Sequence, residues 1–370
     1  MKPLNKKILI ISPQTWTNFF NSKHHYSITL KKAGYDVYFL NPISYLFSKQ
    51  FNACEISRNK FNINIVKIKI FCPKIIIKLY KNYFNFFFKL SIFFSKNFFD
   101  INFNLVWCFD EKNYDLINFF KSDKKILQIM DPMSTQISSS KLNKIDYIVT
   151  ISKKLLKISN YKNIIYITHG LSKFFINTKK TRIIKSSKKT IGFYGNFLSG
   201  RFDLNCINKI VKQNPNLLFK FFGNTDIEHP YANNVKKLKI TEEIKKIKKN
   251  SNTIFYENVP LKLLTKYLNR CDLFLYVSSL KKNIDAHKLL ELIYLGKPII
   301  TSKFSNYSNT KDILYHPSIN SSSAFSKKIG VVLSKKKYYF SKKLINKRIN
   351  FALEKSYKNI TSNLLEKING

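Results

Sequence analysis

Three polar side chains that could bind a nucleotide fall together in the second half of the chain. The segment from His287 to Ile300 reads HKLLELIYLGKPII, and a helix over its first part would end at Gly296. At about 100° per residue, His287, Lys288 and Glu291 lie on one face of that helix. The opposite face is apolar and consists of Leu289, Leu292 and Ile293. The spacing therefore predicts a helix with a buried packing face and a polar face near its N-terminus.

This polar face has the chemistry of a phosphate and ribose site. The free N–H groups at a helix N-terminus bind phosphate, Lys288 can neutralise phosphate charge, and Glu291 can accept hydrogen bonds from a ribose diol. The preceding segment, Asp272–Ser279, is predicted to be a strand, and ligands of open α/β sheets bind beyond the carboxyl ends of strands. The same pattern also fits a solvated helix face with a Lys–Glu pair three residues apart.

A second group of reactive side chains follows the first predicted strand. Trp16 precedes the sequence KHHY, which runs from Lys23 to Tyr26. A helix beginning there would direct His24 or His25 toward a cleft, where His24 could transfer protons and His25 could bind a ligand. Neighbouring residues of a helix point about 100° apart, so the two rings cannot share a metal ion. A structural histidine pair is the alternative.

Two carboxylates stand at the ends of predicted strands, Asp110 after VWCF and Asp131 after LQIM. A carboxylate placed there could act as a base that deprotonates a hydroxyl group of a ligand. Asp131 is the preferred base, and Asp110 is assigned to ligand binding. The alternative for Asp131 is a helix N-cap, because Pro132 and Ser134 follow it.

Strands alternate with helices through the first half of the chain. Short apolar runs such as KILIIS indicate buried parallel strands, and Ser22–Ala33 is predicted to be a helix that ends at Gly34. The predicted strands are Lys7–Ser12, Asp36–Asn41, Asn64–Phe71, Leu105–Phe109, Lys125–Met130, Tyr147–Ile151 and Ile164–Thr168. This alternation indicates a parallel sheet covered by helices on both faces.

A second series of the same kind follows a polar, basic stretch. Its predicted strands are Thr190–Tyr194, Leu218–Phe222, Thr253–Tyr256, Leu273–Val277 and Pro298–Thr301. At 370 residues the chain fits two domains, so we expect an α/β fold with two Rossmann-like domains. The expected divisions are a first domain over residues 1–172, a linker over 173–189, a second domain over 190–340, and a helical tail over 341–370 that packs back toward the first domain.

Composition restricts the class of partner. The formal net charge is +44. Compositional drift toward lysine is as good an explanation for this charge as a functional role. In either case so positive a surface attracts phosphates and anionic lipid. A basic nucleic-acid-binding protein is a competing interpretation, but no nucleic-acid-binding module is recognisable, so no specific nucleic acid partner is expected. The cysteines are scattered and the N-terminus lacks the apolar core of a signal peptide, which favours the cytoplasm.

The segment Ile75–Phe99 combines many phenylalanines with lysines at intervals. Such a helix could lie in the interface of an anionic bilayer, which would place the protein peripherally on the inner face of the cytoplasmic membrane. A core helix in a Phe-rich protein is the alternative.

The segment His287–Ile300, with the strand before it, resembles the donor-site signature of GT-B glycosyltransferases. It is most similar to the retaining family 4 type of polysaccharide biosynthesis. Five further stretches resemble that family in the same order: Tyr147–Lys154, Ile164–Leu171, Ile191–Phe197 (IGFYGNF), Leu218–Asn224 (LFKFFGN) and Asn252–Leu268. The segment with Trp16 and the histidine pair resembles the opening of some polysaccharide glycosyltransferases. The resemblance implies the GT-B fold, in which two parallel sheets face each other across a cleft.

The resemblance also implies residue roles. Glu291 would hold the nucleotide ribose, and Arg201 would offer its forked donors to phosphate oxygens. The donor-binding residues would be Gly195, Asn196, Arg201, His287, Lys288 and Glu291. The catalytic residues would be Asp131, His24 and His169. The acceptor-binding residues would be His25 and Asp110.

The implied activity is transfer of a sugar from a nucleotide-diphosphate sugar to a cell-surface glycan or lipid-linked acceptor. No cofactor and no metal are expected, because the chain lacks the DxD triplet that GT-A transferases use to bind a metal. Asn283 stands where many relatives carry a second glutamate, and retention or inversion is left open. A sugar-nucleotide-binding protein or an epimerase of the same fold is the alternative.

Overall fold

The chain divides into two compact units. The first contains Met1–Thr168 together with Tyr357–Gly370, and the second contains His169–Ser356. The computed structural model describes residues 6–17, 20–45, 53–70, 86–89, 91, 96–131, 133, 137, 142–158, 161–176, 188–225, 234–279, 287–303 and 310–369.

A mostly parallel sheet is the centre of the first unit. Its nine strands in the described ranges are β1 Lys7–Ile11, β2 Asp36–Leu40, β3 Ser44–Tyr45, β4 Cys54–Arg58, β5 Asn64–Ile70, β6 Phe103–Cys108, β7 Ser122–Ile129, β8 Tyr147–Thr150 and β9 Ile164–Tyr166. They follow the order β3-β5-β2-β1-β6-β7-β8-β9, and β4 pairs antiparallel with β5. The predicted strands are present, whereas the sequence does not predict β4, because CEISR carries no apolar run.

The order of the strands brings three chain segments to one edge of this sheet. Ile8 of β1 lies opposite Val37 of β2 and Leu105 of β6, and β6 pairs in parallel with β7. The carboxyl ends of β1, β6 and β7 are therefore neighbours. The segments that follow these three ends carry Gln14, Asp110 and Asp131.

The second unit has a wholly parallel sheet. In the described ranges its strands are β10 Thr190–Tyr194, β11 Leu218–Phe222, β12 Thr253–Tyr256, β13 Leu273–Tyr276 and β14 Ile299–Thr301. Their order is β12-β11-β10-β13-β14, so β10 is central, and every residue of β10 is buried. The chain thus has the predicted α/β architecture of two parallel-sheet domains.

Helices cover these sheets. The described α-helices that follow are numbered in chain order: α1 Ser22–Lys32, α2 Lys96–Phe99, α3 Lys173–Ile176, α4 Leu204–Gln213, α5 Asn234–Lys248, α6 Leu261–Leu268, α7 His287–Tyr294, α8 Ser322–Ser334, α9 Lys336–Tyr339, α10 Lys342–Glu354 and α11 Tyr357–Asn369. In the first unit α11 packs on α1, where the ring of Tyr357 stacks on that of His25 with centroids 4.8 Å apart. The last helix of the tail is therefore part of the first unit.

The predicted linker begins with ordered structure. Residues 173–176 form α3, and Phe175 of this helix is fully buried in the core of the second unit. These four residues form a helix because Phe and Ile supply apolar surface that packs, and the bounds of the linker stay a prediction. Residues 177–187 lie outside the described part of the chain.

The predicted membrane segment is only partly described. Residues 86–89 are helical, and Phe86 is 62% exposed. The remainder of Ile75–Phe99 lies mostly outside the described residues. Within the described ranges, no helix has the length and apolar character that crossing a bilayer requires.

Candidate functional site

A buried carboxylate and a lysine meet beside the central strand of the second unit. The Nζ atom of Lys288 lies 3.3 Å from Oε2 of Glu291, and Glu291 is only 5% exposed. Tyr194, the last residue of β10, is buried against both, and its hydroxyl hydrogen-bonds with them. Lys288 Nζ also lies 4.8 Å from the centroid of the Tyr194 ring. Because Glu291 is buried, a solvated Lys–Glu pair does not describe this helix face.

The three groups depend on one another electrostatically. Burial alone would lower the pKa of Lys288, but attraction to Glu291 and Tyr194 outweighs burial, and the pKa is raised. Burial and the nearby Glu291 carboxylate both raise the pKa of Tyr194. At neutral pH the Lys288 amine is therefore charged and the Tyr194 hydroxyl is neutral.

The backbone beside this cluster is closely packed. The Gly195 N–H donates to the Phe222 carbonyl over 3.0 Å, and the Gly223 N–H donates to the Tyr256 carbonyl over 3.1 Å. A Cβ at Gly223 would lie 1.7 Å from the Gly195 oxygen, and a Cβ at Gly195 would lie 2.6 Å from the Phe202 ring. Two glycines are therefore required for the loops after β10 and β11 to meet.

Asn196 and Arg201 lie in the loop after Gly195. Asn196 is exposed, and its Oδ1 accepts from the Leu198 N–H over 3.0 Å, which caps a short 3₁₀-helix. The Arg201 carbonyl accepts from the Ser279 N–H over 3.0 Å, which ties this loop to the segment after β13. The predicted donor-site residues of this loop thus lie next to one another in the fold, while their ligand roles stay predictions.

His287 is the first residue of α7, but its side chain and Asn283 lie outside the described part. The other end of α7 is held by Arg348, which is completely buried. Its guanidinium donates to the Gly296 carbonyl over 2.8 Å, to the Tyr315 hydroxyl over 2.7 Å and to the Tyr339 carbonyl over 2.8 Å. Arg348 therefore satisfies a carbonyl at the end of the helix that carries Glu291.

The first unit has its own polar cluster, at the carboxyl ends of β1, β6 and β7. Lys23 of α1 is 6% exposed, and its Nζ donates to Gln14 Oε1 over 2.7 Å. Asn21 Nδ2 donates to the same oxygen over 2.6 Å. Burial lowers the pKa of Lys23 to about 8, although attraction to Asp131 and, more weakly, to Asp110 opposes this.

The two aspartates of this cluster differ. Asp110 is buried and accepts from the Lys112 N–H over 3.1 Å, from the Asn113 N–H over 3.2 Å and from Asn113 Nδ2 over 2.8 Å. Its carboxylate therefore organises the turn after β6. Asp131 is exposed after β7, and the residues that would decide its N-cap alternative, Pro132 and Ser134, lie outside the described ranges.

The histidines predicted for catalysis and acceptor binding have structural contacts. His24 Nδ1 accepts from the Asn21 N–H over 3.1 Å, and its ring stacks on Phe39 with centroids 5.2 Å apart. Burial and the neighbouring Lys23 charge lower its pKa to about 4. His25 is buried against α11, and His169, at the start of the second unit, is half-buried. Catalytic or ligand roles for these histidines stay predictions.

Sequence reasoning did not select Lys23, Gln14 or Tyr194 as site residues. Lys23 directly precedes the two histidines that were predicted as site residues. The sequence therefore indicated its position near the sheet edge, but not that it is buried. Tyr194 directly precedes the selected Gly195. In the described ranges, no three His, Cys, Asp or Glu side chains are grouped so that they could hold a metal ion.

No protein-family model matches the chain. No curated protein resembles it closely enough in sequence to be counted as a relative. The fold, however, matches solved structures over nearly the whole chain. Sucrose-phosphate synthase from Thermosynechococcus elongatus is 11% identical with a TM-score of 0.69, covering 99% of this chain and 98% of its own.

Two further solved structures show the same fold. Anabaena HepE in complex with UDP and glucose is 9% identical with a TM-score of 0.63, covering 99% of this chain and 100% of its own. The lipopolysaccharide outer core galactosyltransferase WaaB is 13% identical with a TM-score of 0.55, covering 98% of this chain and 99% of its own. At these identities the likeness concerns the fold, and the two parallel-sheet domains of this chain have the GT-B fold of glycosyltransferases.

Proposed function

We propose that this protein is a glycosyltransferase that moves a sugar from a nucleotide-diphosphate sugar to a glycan or lipid-linked acceptor. The observation that carries the proposal is the cluster at the carboxyl end of the second sheet, in which Lys288 contacts the buried side chains of Glu291 and Tyr194. A buried carboxylate held by a lysine can accept hydrogen bonds from a ribose diol, and the lysine can attract phosphate. Open α/β sheets bind nucleotides in this position.

The remaining donor contacts follow from the loops beside that cluster. Gly195 and Gly223 let the loops after β10 and β11 meet beside the cluster, and the diphosphate is proposed to bind against these loops. Arg201, Asn196 and His287 would complete the contacts to the donor. Arg201, Lys288 and backbone N–H groups would then stabilise the charge that develops on the leaving diphosphate, without a metal ion.

For the acceptor half of the reaction we propose the carboxyl edge of the first sheet. Asp131 is the base that would take the proton of the acceptor hydroxyl if the reaction inverts the sugar carbon. His24 and His169 are the other catalytic candidates, and His25 and Asp110 are proposed to bind the acceptor. The retaining family 4 assignment rests on the sequence resemblance, and a retaining reaction would not need Asp131 as a base.

A surface glycan or a lipid-linked acceptor fits two further features. One is the fold shared with a lipopolysaccharide galactosyltransferase. The other is the net charge of +44, which favours the anionic surface of a membrane, with Ile75–Phe99 as the proposed attachment segment. We place the protein in the cytoplasm, peripherally on the inner face of the membrane, with no specific nucleic acid partner.

Nucleotide binding tests the central claim. UDP, GDP and ADP are titrated while the melting temperature of the full chain is followed, because a ligand that binds only the folded state raises it. We expect one nucleotide to stabilise the parent protein and Glu291→Ala to lose that effect. Glu243→Ala is the matched control, because Glu243 forms the same i,i+3 pair with Lys246 at 2.8 Å on another helix. A parent protein that none of the three nucleotides stabilises would contradict the proposal.

An epimerase or a binding protein of the same fold predicts a different outcome once a donor is found. Release of free nucleotide from the bound sugar nucleotide would then not increase when an acceptor sugar is added. A glycosyltransferase releases nucleotide at a rate that depends on the acceptor concentration.

A further inference from the structure

Arg348 is a buried cation whose hydrogen-bond acceptors are all neutral. Its exposed fraction is 0%, and it donates to the Gly296 carbonyl, the Tyr315 hydroxyl and the Tyr339 carbonyl. In the described part of the chain, its Nε atom has no acceptor. Burying a charge against neutral groups costs free energy, and a well-packed apolar core would not need it. Such an exception to the usual rules of packing points to a functional role.

The hydrogen bonds of Arg348 join α7 to the second sheet. Gly296 follows α7, and its N–H donates to the Ile293 carbonyl over 3.0 Å, so Gly296 moves with the last turn of that helix. Tyr315 pairs with the edge strand β14, where its N–H donates to the Ile299 carbonyl over 2.9 Å. Because Nη1 of Arg348 binds the Gly296 carbonyl and Nη2 binds the Tyr315 hydroxyl, the guanidinium connects the end of α7 to the sheet.

The helix that carries Arg348 packs on the same turn of chain. A Cβ at Gly296 would lie 2.8 Å from Cγ2 of Ile345 and 3.3 Å from Cδ1 of Ile349, both on α10. The φ angle of Gly296 is +74°, in the left-handed region in which helices commonly end at a glycine. The isoleucines therefore limit how closely α10 approaches α7, and Arg348 supplies the attraction between them.

The position of α7 on the sheet decides the geometry of the proposed nucleotide site. Lys288 and Glu291 belong to α7, whereas Tyr194 is the last residue of the central strand β10. Lys288 Nζ lies 3.3 Å from Glu291 Oε2 and 4.8 Å from the centroid of the Tyr194 ring. A helix of eight residues is not stable by its own hydrogen bonds, so contacts from outside must set its position.

We propose that Arg348 is a positioning residue of the nucleotide site, which fixes α7 on the second sheet so that Lys288 and Glu291 stay beside Tyr194. This inference rests on the proposed function, because that function assigns the nucleotide ribose to Glu291. Since Arg348 is completely buried, it acts through the last turn of α7 and not by touching the nucleotide. A planar guanidinium suits this role, because its separate nitrogens hold several acceptors in fixed directions.

Two other roles for Arg348 lead to different outcomes. If the residue is only structural, its loss lowers stability, and the molecules that remain folded bind nucleotide as the parent does. If only its charge matters, as a cation near the negative end of the α7 dipole, a lysine at position 348 retains the function. Arg348→Lys separates both roles from positioning, because a single ammonium cannot replace the two nitrogens that bind different acceptors.

Hydrogen exchange, read by mass spectrometry of peptides from the full chain, tests the hold on α7 without a ligand. In Arg348→Lys we expect the peptide over α7 to exchange at least about tenfold faster, while the peptide over α4 is unchanged. Tyr315→Phe removes one acceptor and should speed the α7 peptide by about threefold, so it serves if Arg348→Lys does not fold. Equal α7 exchange in the parent and the folded variants would overturn the inference.

Ile210→Ala is the matched control for lost stability. Ile210 is fully buried on α4, which packs against α5 and α8. We expect both Ile210→Ala and Arg348→Lys to lower the melting temperature by about 5–10 °C. Only Arg348→Lys should speed exchange in α7, since Ile210 has no part in holding that helix.

Nucleotide affinity tests the functional part of the inference. The probe is whichever of UDP, GDP and ADP stabilises the parent, and its dissociation constant is measured by calorimetry at a temperature where every variant is folded. We expect Arg348→Lys to weaken binding by about tenfold to a hundredfold, because a displaced α7 misplaces its polar groups. Ile210→Ala should bind within about twofold of the parent.

Parent-like affinity in Arg348→Lys would overturn the inference, whether or not the variant is destabilised. Equal weakening in Ile210→Ala would also overturn it, because any loss of stability would then have the same effect. A parent that binds none of the three nucleotides would instead contradict the proposed function. Hydrogen exchange would still decide separately whether Arg348 holds α7.

Discussion

Lys23 and Lys288 occupy comparable places in the two units. Each lies near the start of the helix beyond the carboxyl end of a strand, and each has carboxylates nearby. Yet the pKa of Lys23 is lowered to about 8, whereas the pKa of Lys288 is raised above its ordinary value. The difference lies in the atom that each ammonium touches: an amide oxygen of Gln14 at 2.7 Å, and a carboxylate oxygen of Glu291 at 3.3 Å.

This comparison separates two effects on the pKa of a lysine, burial and the attraction of a carboxylate, which act together in both clusters. Burial opposes charge strongly at Lys23, which is 6% exposed, and less at Lys288, whose side chain is 41% exposed. A contacting carboxylate outweighs it at Lys288, while carboxylates that act only from a distance do not outweigh it at Lys23. The second cluster is therefore suited to holding a fixed charge pattern for a ligand. The first is suited to chemistry that responds to pH.

The largest expected effect comes from the backbone that shapes the second cluster. In Gly223→Ala the new Cβ would lie 1.7 Å from the Gly195 oxygen, so the loops after β10 and β11 cannot keep their contact. We expect a loss of unfolding free energy of more than about 4 kcal/mol, measured by urea denaturation. Gly330→Ala is the control, since no atom lies within 4 Å of a Cβ there, and it should stabilise α8 by about 0.5–1 kcal/mol. Similar unfolding free energies for Gly223→Ala and Gly330→Ala would show that the loops after β10 and β11 can separate without a loss of stability.

Glu291→Gln should make the second cluster resemble the first. The contacting carboxylate becomes a neutral amide of the same shape, so the main attraction that raises the pKa of Lys288 is lost and that pKa should fall toward its ordinary value of 10.5. Amine labelling measures this shift, and Glu243→Gln provides the control on an exposed pair. An unchanged Lys288 would mean that Tyr194, not Glu291, raises its pKa.

The reciprocal change, Gln14→Glu, should make the first cluster resemble the second. A carboxylate would then contact Lys23 in place of the amide, and its pKa should rise by about 1–2 units toward the ordinary value of 10.5. Labelling at Lys23 checks the shift, and Gln213→Glu on the exposed end of α4 is the control. If the pKa of Lys23 did not change, the hydrogen bond to residue 14 would not be the cause of the pKa difference between Lys23 and Lys288.

The fold could be predicted because it depends on patterns within short segments. Apolar runs gave the bounds of β10, β11 and β12 to the residue, and the spacing of Lys288 and Glu291 placed them on one helix face. The edge strand β4 was not predicted, because one face of an edge strand meets solvent and its sequence therefore has no continuous apolar run.

What could not be predicted depends on contacts between distant segments. Tyr194 contacts Lys288 and Glu291 because β10 ends beside α7, and Gly223 matters because its loop touches Gly195. The burial of Lys23 was not predicted, since it depends on how α1 packs at the carboxyl edge of the first sheet. Burial and contact across such distances are set by the packing of the whole unit.

The smallest expected effect concerns stability in acid, and it again distinguishes the two clusters. Because the pKa of His24 is lowered to about 4 in the folded protein, the unfolded chain binds a proton first as the pH falls below about 6.5. Stability from this group is complete above that pH and is lost as the pH falls toward 4. The loss at about pH 5 should be about 2 kcal/mol relative to about pH 8.

His24→Gln should remove this loss while keeping the cap, because Gln at the third helical position can also reach back to the N-cap N–H. Urea denaturation of both proteins at the two pH values gives the acid-induced loss of unfolding free energy for each. The carboxylates are the same in both proteins, so their contribution cancels when the two losses are compared. Lys23, whose pKa is about 8, is present in both proteins, so its own proton loss near pH 8 cancels from the difference. Equal acid sensitivity of the parent and the His24→Gln protein would show that the fold does not lower the pKa of His24, and the first cluster would then carry two positive charges below about pH 6.5.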